Sequence, residues 1–420
     1  MFPNPRLNST KRSWSENAVK PVRFVHAADA HLGYRQYHLQ ERQNDFLNAF
    51  REFVEKTREL SPDFVVFAGD LFHDPHPSNV VLSSAIELID SLETPFLVVP
   101  GSHDAVYSST VGTVLDPLHK GGHVQYLPVK PFVFGDVYVY GMRNFRTRAE
   151  FERDGQAFFE RHPPTPKGKY NIFVLHQGVD FPKLNLHPEE VELYSTELPK
   201  GFQYYAAGHL HMPNCFRFNE GFFAYAGSLE TTDYTQYEYE KGFYLVEVES
   251  DGETKITRIP IKQHRKFNIV KEDFSGRDAK EIEEKARELL SKADEEGCII
   301  VLVMEGILPR GVSRVDVDYN AIKNAAEKAL HIQLINNLKT PEEDLSPIQI
   351  AEAETIFAKA EKALTEYYAD LFKEKAGKYA ALTIELVKIL SDKSAKSRER
   401  TSRAEKKIEE FYQAEKRAAP

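Results

Sequence analysis

Cysteine is scarce in this 420-residue chain: only Cys215 and Cys298 occur. Two thiols cannot build a disulfide framework or a thiolate zinc site, and their scarcity suits a reducing compartment. Long apolar runs are missing too. No stretch approaches the roughly 20 residues that span a bilayer, so no membrane role is expected. The first 20 residues are polar and lack the apolar core of a secretory signal; they read as a disordered leader. Positive charge is in deficit, with 54 Lys and Arg against 64 Asp and Glu and a net charge of −10. That balance argues against indiscriminate coating of nucleic acid, but a local basic groove stays open. What remains is ordinary: 41% hydrophobic and 28% charged residues, a globular composition with room for two or three domains.

The densest information lies in Asp63–Asp74. Phe64 to Ala68 is a continuous apolar run, short enough to be a strand buried on both faces. Gly69 permits a close turn, and Asp70 is delivered at the strand's carboxyl end, where open α/β sheets place their ligands. The same grammar recurs. A strand over Val22–Ala27 runs into Asp29 and His31. After an amphipathic helix carrying Phe46, Leu47, Phe50, Phe53 and Val54 comes the Asp70 strand. A helix over Val80–Leu92 and a strand over Pro95–Val99 follow, ending in Ser102 and His103. Short β segments fill His123–Met142, and Phe151–Arg161 is a helix candidate. Strands over Asn171–Leu175 and Phe202–Ala207 end at His176 and at His209-Leu210-His211. Phe222–Ala226, Gly242–Val248 and Glu253–Ile261 read as antiparallel strands.

The domain reading is therefore a leader over 1–20, an α/β domain over 21–261, a small α/β cap over 262–340, an acidic linker over 341–347 and a helical region over 348–420. In the cap the pattern predicts strands at Phe267–Val270, Cys298–Met304 and Gln333–Ile335 and helices over Ala279–Ala293 and Tyr319–Leu330. Two apolar helical stripes follow the linker, one through Ile356, Ala360, Leu364, Tyr367 and Leu371, the other through Tyr379, Leu382, Leu386 and Ile389. A basic tail closes the chain.

A single histidine after a strand is ordinarily a satisfied core or surface residue, and Gly-Asp is a common turn. Repetition within one domain changes that judgement. Residues two apart in a strand point the same way, so Asp29/His31 and His209/His211 can each converge on one point. Imidazole and carboxylate donors without thiolate suit Mn²⁺, Fe²⁺ or Zn²⁺. Two such ions about 3.5–4 Å apart clamp the attacking and leaving oxygens of a phosphoryl displacement.

These motifs resemble the calcineurin-like metallophosphoesterase signature. The longer phrases Asp29-Ala-His-Leu-Gly-Tyr34, Gly69-Asp-Leu-Phe-His73, Leu175-His-Gln-Gly178, Tyr205-Ala-Ala-Gly-His-Leu-His211 and Ala226-Gly-Ser-Leu-Glu230 are similar to the meiotic recombination eleven/SbcD family of DNA double-strand-break repair nucleases, at archaeal length. The motifs cover Phe24 to Glu230; the cap and helical region match in layout only. The resemblance implies a metallophosphoesterase β-sandwich flanked by helices, with a small α/β cap and a C-terminal helical pair. It implies two Mn²⁺: one on Asp29, His31, Asp70 and His211, the other on Asp70, His176 and His209, with Asp70 bridging. His103 would act on the leaving oxygen, and His73 would lie beside it or near DNA. At the family's asparagine ligand this chain has Ser102, a shorter neutral donor, which implies a weaker second ion and reduced activity.

The family's use of the loop after the first motif points to Tyr34, Arg35 and Gln36 as DNA contacts. Arg143, Arg146 and Arg148, in a loop after a strand, are further candidates. The helical stripes need a covering surface, either this chain's own or a partner's; the resemblance implies docking on an SMC-like ABC-type ATPase (Rad-fifty), with Ile356, Leu364, Leu371, Leu382 and Leu386 as contacts, and it implies a homodimer. The leading expectation is a manganese-dependent 3′–5′ exonuclease and single-strand endonuclease, cytoplasmic at the nucleoid in a prokaryote or nuclear in a eukaryote, and not secreted. Two alternatives stand beside it: a catalytically impaired DNA-end scaffold, and a phosphoesterase acting on nucleotides or small phosphoesters.

Overall fold

The computed structural model describes residues 20–104, 112–262, 264–341, 356–391 and 397–417. The expected leader, apart from its last residue, and the expected linker, apart from Pro341, lie outside the described residues. The chain divides into two compact units: Met1–Val270 with Arg287–Val303 and Lys323–Ile335, and Lys271–Ala286 with Met304–Ile322 and Asn336–Pro420.

The first unit is built on two six-stranded mixed sheets. Strands β1 (Val22–Ala27), β2 (Phe64–Ala68), β3 (Phe96–Val99) and β4 (Gln125–Tyr126) run parallel. Strands β5 (Phe132–Phe134), β6 (Val137–Gly141), β7 (Tyr170–His176), β8 (Tyr204–Gly208), β9 (Asn214–Phe218) and β10 (Gly221–Tyr225) make the second sheet, in the order β5-β6-β7-β8-β10-β9. Then β11 (Gly242–Val248) and β12 (Thr254–Pro260) return to the first sheet, beside β1.

Every residue of β2, β3, β7 and β8 is buried, which explains why these segments read as unbroken apolar runs. Inner-face residues Phe24, Val66, Leu97, Val139, Ile172, Tyr204 and Val246 fill the space between the sheets. The outer face of the first sheet is covered by helices α1 (Gln40–Leu60) and α2 (Asn79–Asp90). Phe53 of α1 meets Phe243 edge-on, with ring centroids 5.0 Å apart. Each such buried phenylalanine contributes about 1.5–3 kcal/mol. Ser78 caps α2, its hydroxyl accepting from Val81 N–H at 3.4 Å. A short helix α3 (Leu115–Gly121) leads into β4, and α4 (Arg148–Arg161) lays Phe151 and Phe158 against the second sheet.

Two expectations are corrected. Phe222–Ala226, read as antiparallel, forms β10, which runs parallel to β8 and antiparallel only to β9, a strand the sequence did not announce. The helix expected over Tyr319–Leu330 stops early. After β13 (Phe267–Asp273), α5 (Ala279–Ala293) and β14 (Ile299–Ile307), helix α6 covers only Tyr319–Lys323. Beyond it the N–H groups of Glu327, Lys328 and Ala329 donate to the Asp294 carboxylate at 2.9–3.2 Å, so a side chain takes the hydrogen bonds that a continuing helix would use. Strand β15 (His331–Lys339) is longer than predicted.

In the second unit, α7 (Ile356–Phe372) and α8 (Ala376–Ser391) pack on one another through Phe372 and Tyr379, stacked at 4.2 Å. A third helix, α9 (Ser397–Arg417), occupies much of the expected basic tail. No helix among the described residues is long and apolar enough to cross a membrane.

Candidate metal centre

The parallel strands β1, β2, β3, β7 and β8 all end at one rim, so the residues after them meet. His176 Nε2 lies 3.2 Å from Asp70 Oδ2. His31 Nε2 lies 3.9 Å from the same oxygen, and His211 Nε2 lies 3.8 Å from Asp29 Oδ1. His31 Nε2 and His211 Nε2 face one another at 3.1 Å. Asp29, His31 and His211 can bring one ligand atom apiece within 4.8 Å of one another, as can Asp29, Asp70 and His176. The His209 ring stands edge-on to His176, with centroids 5.1 Å apart. Residues from both sheets thus share one pocket.

The backbone is bent to achieve this. Asp29, His31, Asp70 and His209 all adopt positive φ, at 55°, 46°, 51° and 90°. Such conformations are uncommon outside glycine and cluster where a site over-determines them. Glycine is demanded where strands crowd the pocket. A Cβ at Gly69 would overlap the His176 ring, and one at Gly101 would overlap the Asp70 carboxylate. Asp70 Oδ1 accepts from His103 N–H at 2.8 Å, and Ser102 Oγ stands 3.4 Å from Oδ2.

Electrostatics favour a cation here. Burial pushes Asp29 well above the usual carboxylate range, although His176 pulls it back. For Asp70 burial acts in the same direction, but the adjacent His176 outweighs it and holds the carboxyl well below that range. His176 is correspondingly raised to about 10, because Asp70 overcomes the burial that would lower it. Burial lowers His31 well below its ordinary value, and lowers His209 to about 3 and His211 to about 4. These rings are therefore neutral, the form that ligates.

The donor set fits a divalent cation. His176 Nδ1 sits 2.8 Å from the Ala68 carbonyl, which can only accept. Its Nε2 is therefore aimed at Asp70, buried and without a hydrogen-bond partner. His211 is fixed the same way, with Nδ1 2.8 Å from both Gln236 Oε1 and Thr232 Oγ1. With metal–nitrogen bonds of about 2.0–2.1 Å, ligand nitrogens stand about 3 Å apart, near the separation of the His31 and His211 nitrogens.

His103 and His73 form the pocket's other wall. Their rings stack at 4.6 Å, and Tyr34 stacks on His73 at 3.8 Å. His103 Nδ1 lies 2.9 Å from the His73 carbonyl. Burial, with His103 adding to it, lowers His73 to about 4.

The chain has known relatives. The calcineurin-like phosphoesterase family matches residues 22–213. A DNA double-strand break repair protein Mre11 from Methanococcus maripaludis is 31% identical over 64% of this chain and 75% of its own length. The chain belongs to the Mre11 family. Another Mre11, from Archaeoglobus fulgidus, is 27% identical over 94% of this chain and 92% of that one. A dimetal phosphatase from Danio rerio superposes at a TM-score of 0.35 and 12% identity, over 58% of this chain and all of that one; the assignment rests on the sequence relatives.

Several residues of this Mre11-family pocket carry no role in the sequence reading. Asp104, fully buried, accepts from the N–H groups of Leu71, Phe72 and Gly101 at 3.2, 2.8 and 3.0 Å, tying the Asp70 turn to the Ser102 turn. Its place directly after His103 was the available signal. Glu192, buried in the irregular stretch between β7 and β8, accepts from Gln177 Nε2 and Gly178 N–H and faces His209 Nε2 at 3.6 Å. Burial pushes its carboxyl up to about 7. Nothing in its local sequence pointed to the pocket.

Of the expected DNA contacts, Arg35 is exposed and Tyr34 half-buried. Gln36 is corrected: it is 3% exposed, its amide donating to the Thr232 carbonyl and accepting from Arg42 Nε, so both ends are engaged inside the fold. Arg143 pairs with Glu150 at 2.8 Å and covers the Phe145 ring, anchoring the start of α4. Arg146 reaches the Ser102 carbonyl at 3.3 Å. Arg148 forks onto Glu197 at 2.5 and 2.8 Å, which gives it an intramolecular role. Among the partner candidates Leu371 is 66% exposed; Leu364, Leu382 and Leu386 are half-buried, and the Ile356 side chain lies outside the described residues.

Proposed function

We propose that the protein is a two-metal DNA nuclease that processes double-strand-break ends. The observation that supports this best is the meeting of Asp29, Asp70 and the imidazoles of His31, His176, His209 and His211 in one pocket drawn from both sheets. In this reading Asp29, His31, Asp70 and His211 hold one Mn²⁺, and Asp70, Ser102, His176 and His209 hold the other. When bound, the two ions neutralise phosphodiester charge and supply an activated water at neutral pH.

The chain's own residues do the rest. Asp70, bracketed by His176 and the His103 N–H, is fixed so that one carboxylate serves both positions. His103, anchored through Nδ1 on the His73 carbonyl, keeps Nε2 available to give a proton to the leaving oxygen. Tyr34 and His103 sandwich the His73 ring, which keeps His103 from rotating away. Arg35 and Arg146, at the pocket's edge, contact phosphates without reading sequence. Residues 21–261 form the nuclease domain and 262–340 the cap. The exposed apolar residues Tyr367, Leu371 and Leu390 are the docking face for an SMC-like ABC-type ATPase, and the nuclease domain pairs as a homodimer. The activities are 3′–5′ exonuclease on duplex ends and endonuclease on single strands.

Labelled linear duplex DNA incubated with Mn²⁺ tests the proposal. Cleavage that disappears in His103→Ala supports it; intact DNA at saturating Mn²⁺ overturns it. That second result would favour a DNA-end scaffold, a reading for which Ser102 speaks, since its short side chain reaches Asp70 only at 3.4 Å.

A further inference from the structure

Two histidines of the pocket follow one rule: one ring nitrogen is parked on an oxygen acceptor, which leaves the other as the ligand. His176 parks Nδ1 on the Ala68 carbonyl at 2.8 Å, and His211 parks Nδ1 on Gln236 Oε1 at 2.8 Å. His209 differs: its Nε2 faces a carboxylate, Glu192 Oε1, at 3.6 Å, while its ring stands edge-on to His176 with centroids 5.1 Å apart.

We propose that Glu192 is a positioning residue that keeps the His209 proton on Nε2 and so leaves Nδ1 to ligate the second cation. This rests on the two-cation reading above. Glu192 is only 7% exposed, and its orientation is fixed from behind. Oε2 accepts from Gln177 Nε2 at 2.8 Å and from Gly178 N–H at 2.9 Å. Gln177 is itself clamped: its Oε1 accepts from Phe145 N–H at 2.5 Å and its Nε2 donates to the Phe145 carbonyl at 2.8 Å. Two donors thus hold one carboxylate edge, and the other edge is directed at His209. With Oε2 taken up by two donors, the Oε1 edge presents an acceptor to His209, and an acceptor at this range favours N–H over a lone pair on the facing nitrogen. A carboxylate behind a ligand histidine both sets its tautomer and raises its basicity. Through Gln177 and Gly178 the same carboxylate also steadies the turn directly after His176, so both imidazoles of the second position depend on it.

The substitution Glu192→Gln tests this sharply because the surroundings dictate the amide's orientation. Its oxygen must stay on Gln177 and Gly178, which both donate, so its NH₂ group faces His209. His209 Nε2 is then forced to accept, and the proton moves to Nδ1, the ligating atom. In the full chain loaded with diamagnetic Zn²⁺ and carrying ring-¹⁵N histidine, the His209 shifts should show a protonated Nε2 and a metal-bound Nδ1 in the wild type, a pattern lost in Glu192→Gln. In Mn²⁺ calorimetry the wild type should bind two ions, and the variant should keep one unchanged while the other weakens by about 10–100-fold. At one equivalent, electron paramagnetic resonance of the variant should show an uncoupled Mn²⁺. His209→Gln should lose the same ion, and the double variant should be no worse than His209→Gln alone, a non-additivity that a general loss of packing would not produce. Two unchanged ions in Glu192→Gln, or equal weakening of both with a lowered Tm, would overturn the proposal. Fewer than two ions in the wild type would overturn the two-cation reading itself, and this proposal with it.

Discussion

At the scale of single residues, the pocket concentrates charge that the chain alone leaves unbalanced. Asp29 and Asp70 are both buried, and the His176 imidazole stands 3.2 Å from Asp70. Asp70→Asn should therefore abolish binding of both Mn²⁺ ions rather than one, read by calorimetry, because the same carboxylate belongs to both proposed positions. Ser102→Asn should act oppositely. A longer carbonyl donor should lower the Mn²⁺ concentration needed for half-maximal DNA cleavage, and superimposable titrations for the two forms would count against this. His26 gives a pH prediction away from the pocket. Buried on β1 against Tyr204, with Nε2 unpartnered, it is lowered by burial to about 3. An unfolded histidine takes up its proton below about 6.5, while the folded one waits until about 3. The unfolded state therefore binds more protons in that window, and stability falls as pH drops from about 6.5 toward 3, by up to roughly 4 kcal/mol. In His26→Gln the urea midpoint should fall less over the same window.

At the scale of elements, strand ends were legible because the alphabet there is distinctive: an apolar run, a glycine, then a ligand type. The same reading could not see Glu192, which lies on no periodic segment, nor the inward turn of Gln36, which the family's use of its loop pointed toward DNA although Arg42 recruits it. Arg42 shows what such recruitment holds together. It is fully buried on α1 and reaches Asp45 at 2.6 Å, Glu230 at 3.3 Å and the Thr231 carbonyl at 2.8 Å. This gives Glu230, part of a motif that suggested function, a structural partner. Arg42→Ala strands a buried carboxylate and should cost about 3–5 kcal/mol, measured by urea unfolding. The truncated helix α6 was illegible for a related reason: Asp294, distant in sequence, takes the N–H groups that helical propensity assigned to the helix.

At the scale of the whole molecule, the described residues place the chemistry in one unit and the exposed apolar helices in the other. Leu371→Glu should accordingly leave stability within about 0.5 kcal/mol of wild type and leave hydrolysis of a small phosphodiester unchanged, while pull-down of the proposed ATPase partner is lost. Equal loss of both would place these helices in the catalytic unit's support instead. The apolar runs made the buried strands readable, while their arrangement in two layers came from the family resemblance; the pairing of β10 with β8 was not legible, since strand order depends on contacts that a linear sequence does not display.

The ligands hang from the ends of both sheets: Asp29, His31 and Asp70 follow strands of one, His176, His209 and His211 strands of the other. An ion seated there is a rivet through the sandwich, and the layers cannot part without shedding it. Heated in the presence of a metal-capturing dye, the protein should release its ions in step with the first separation of the layers, so the escaping metal would time the opening of the fold.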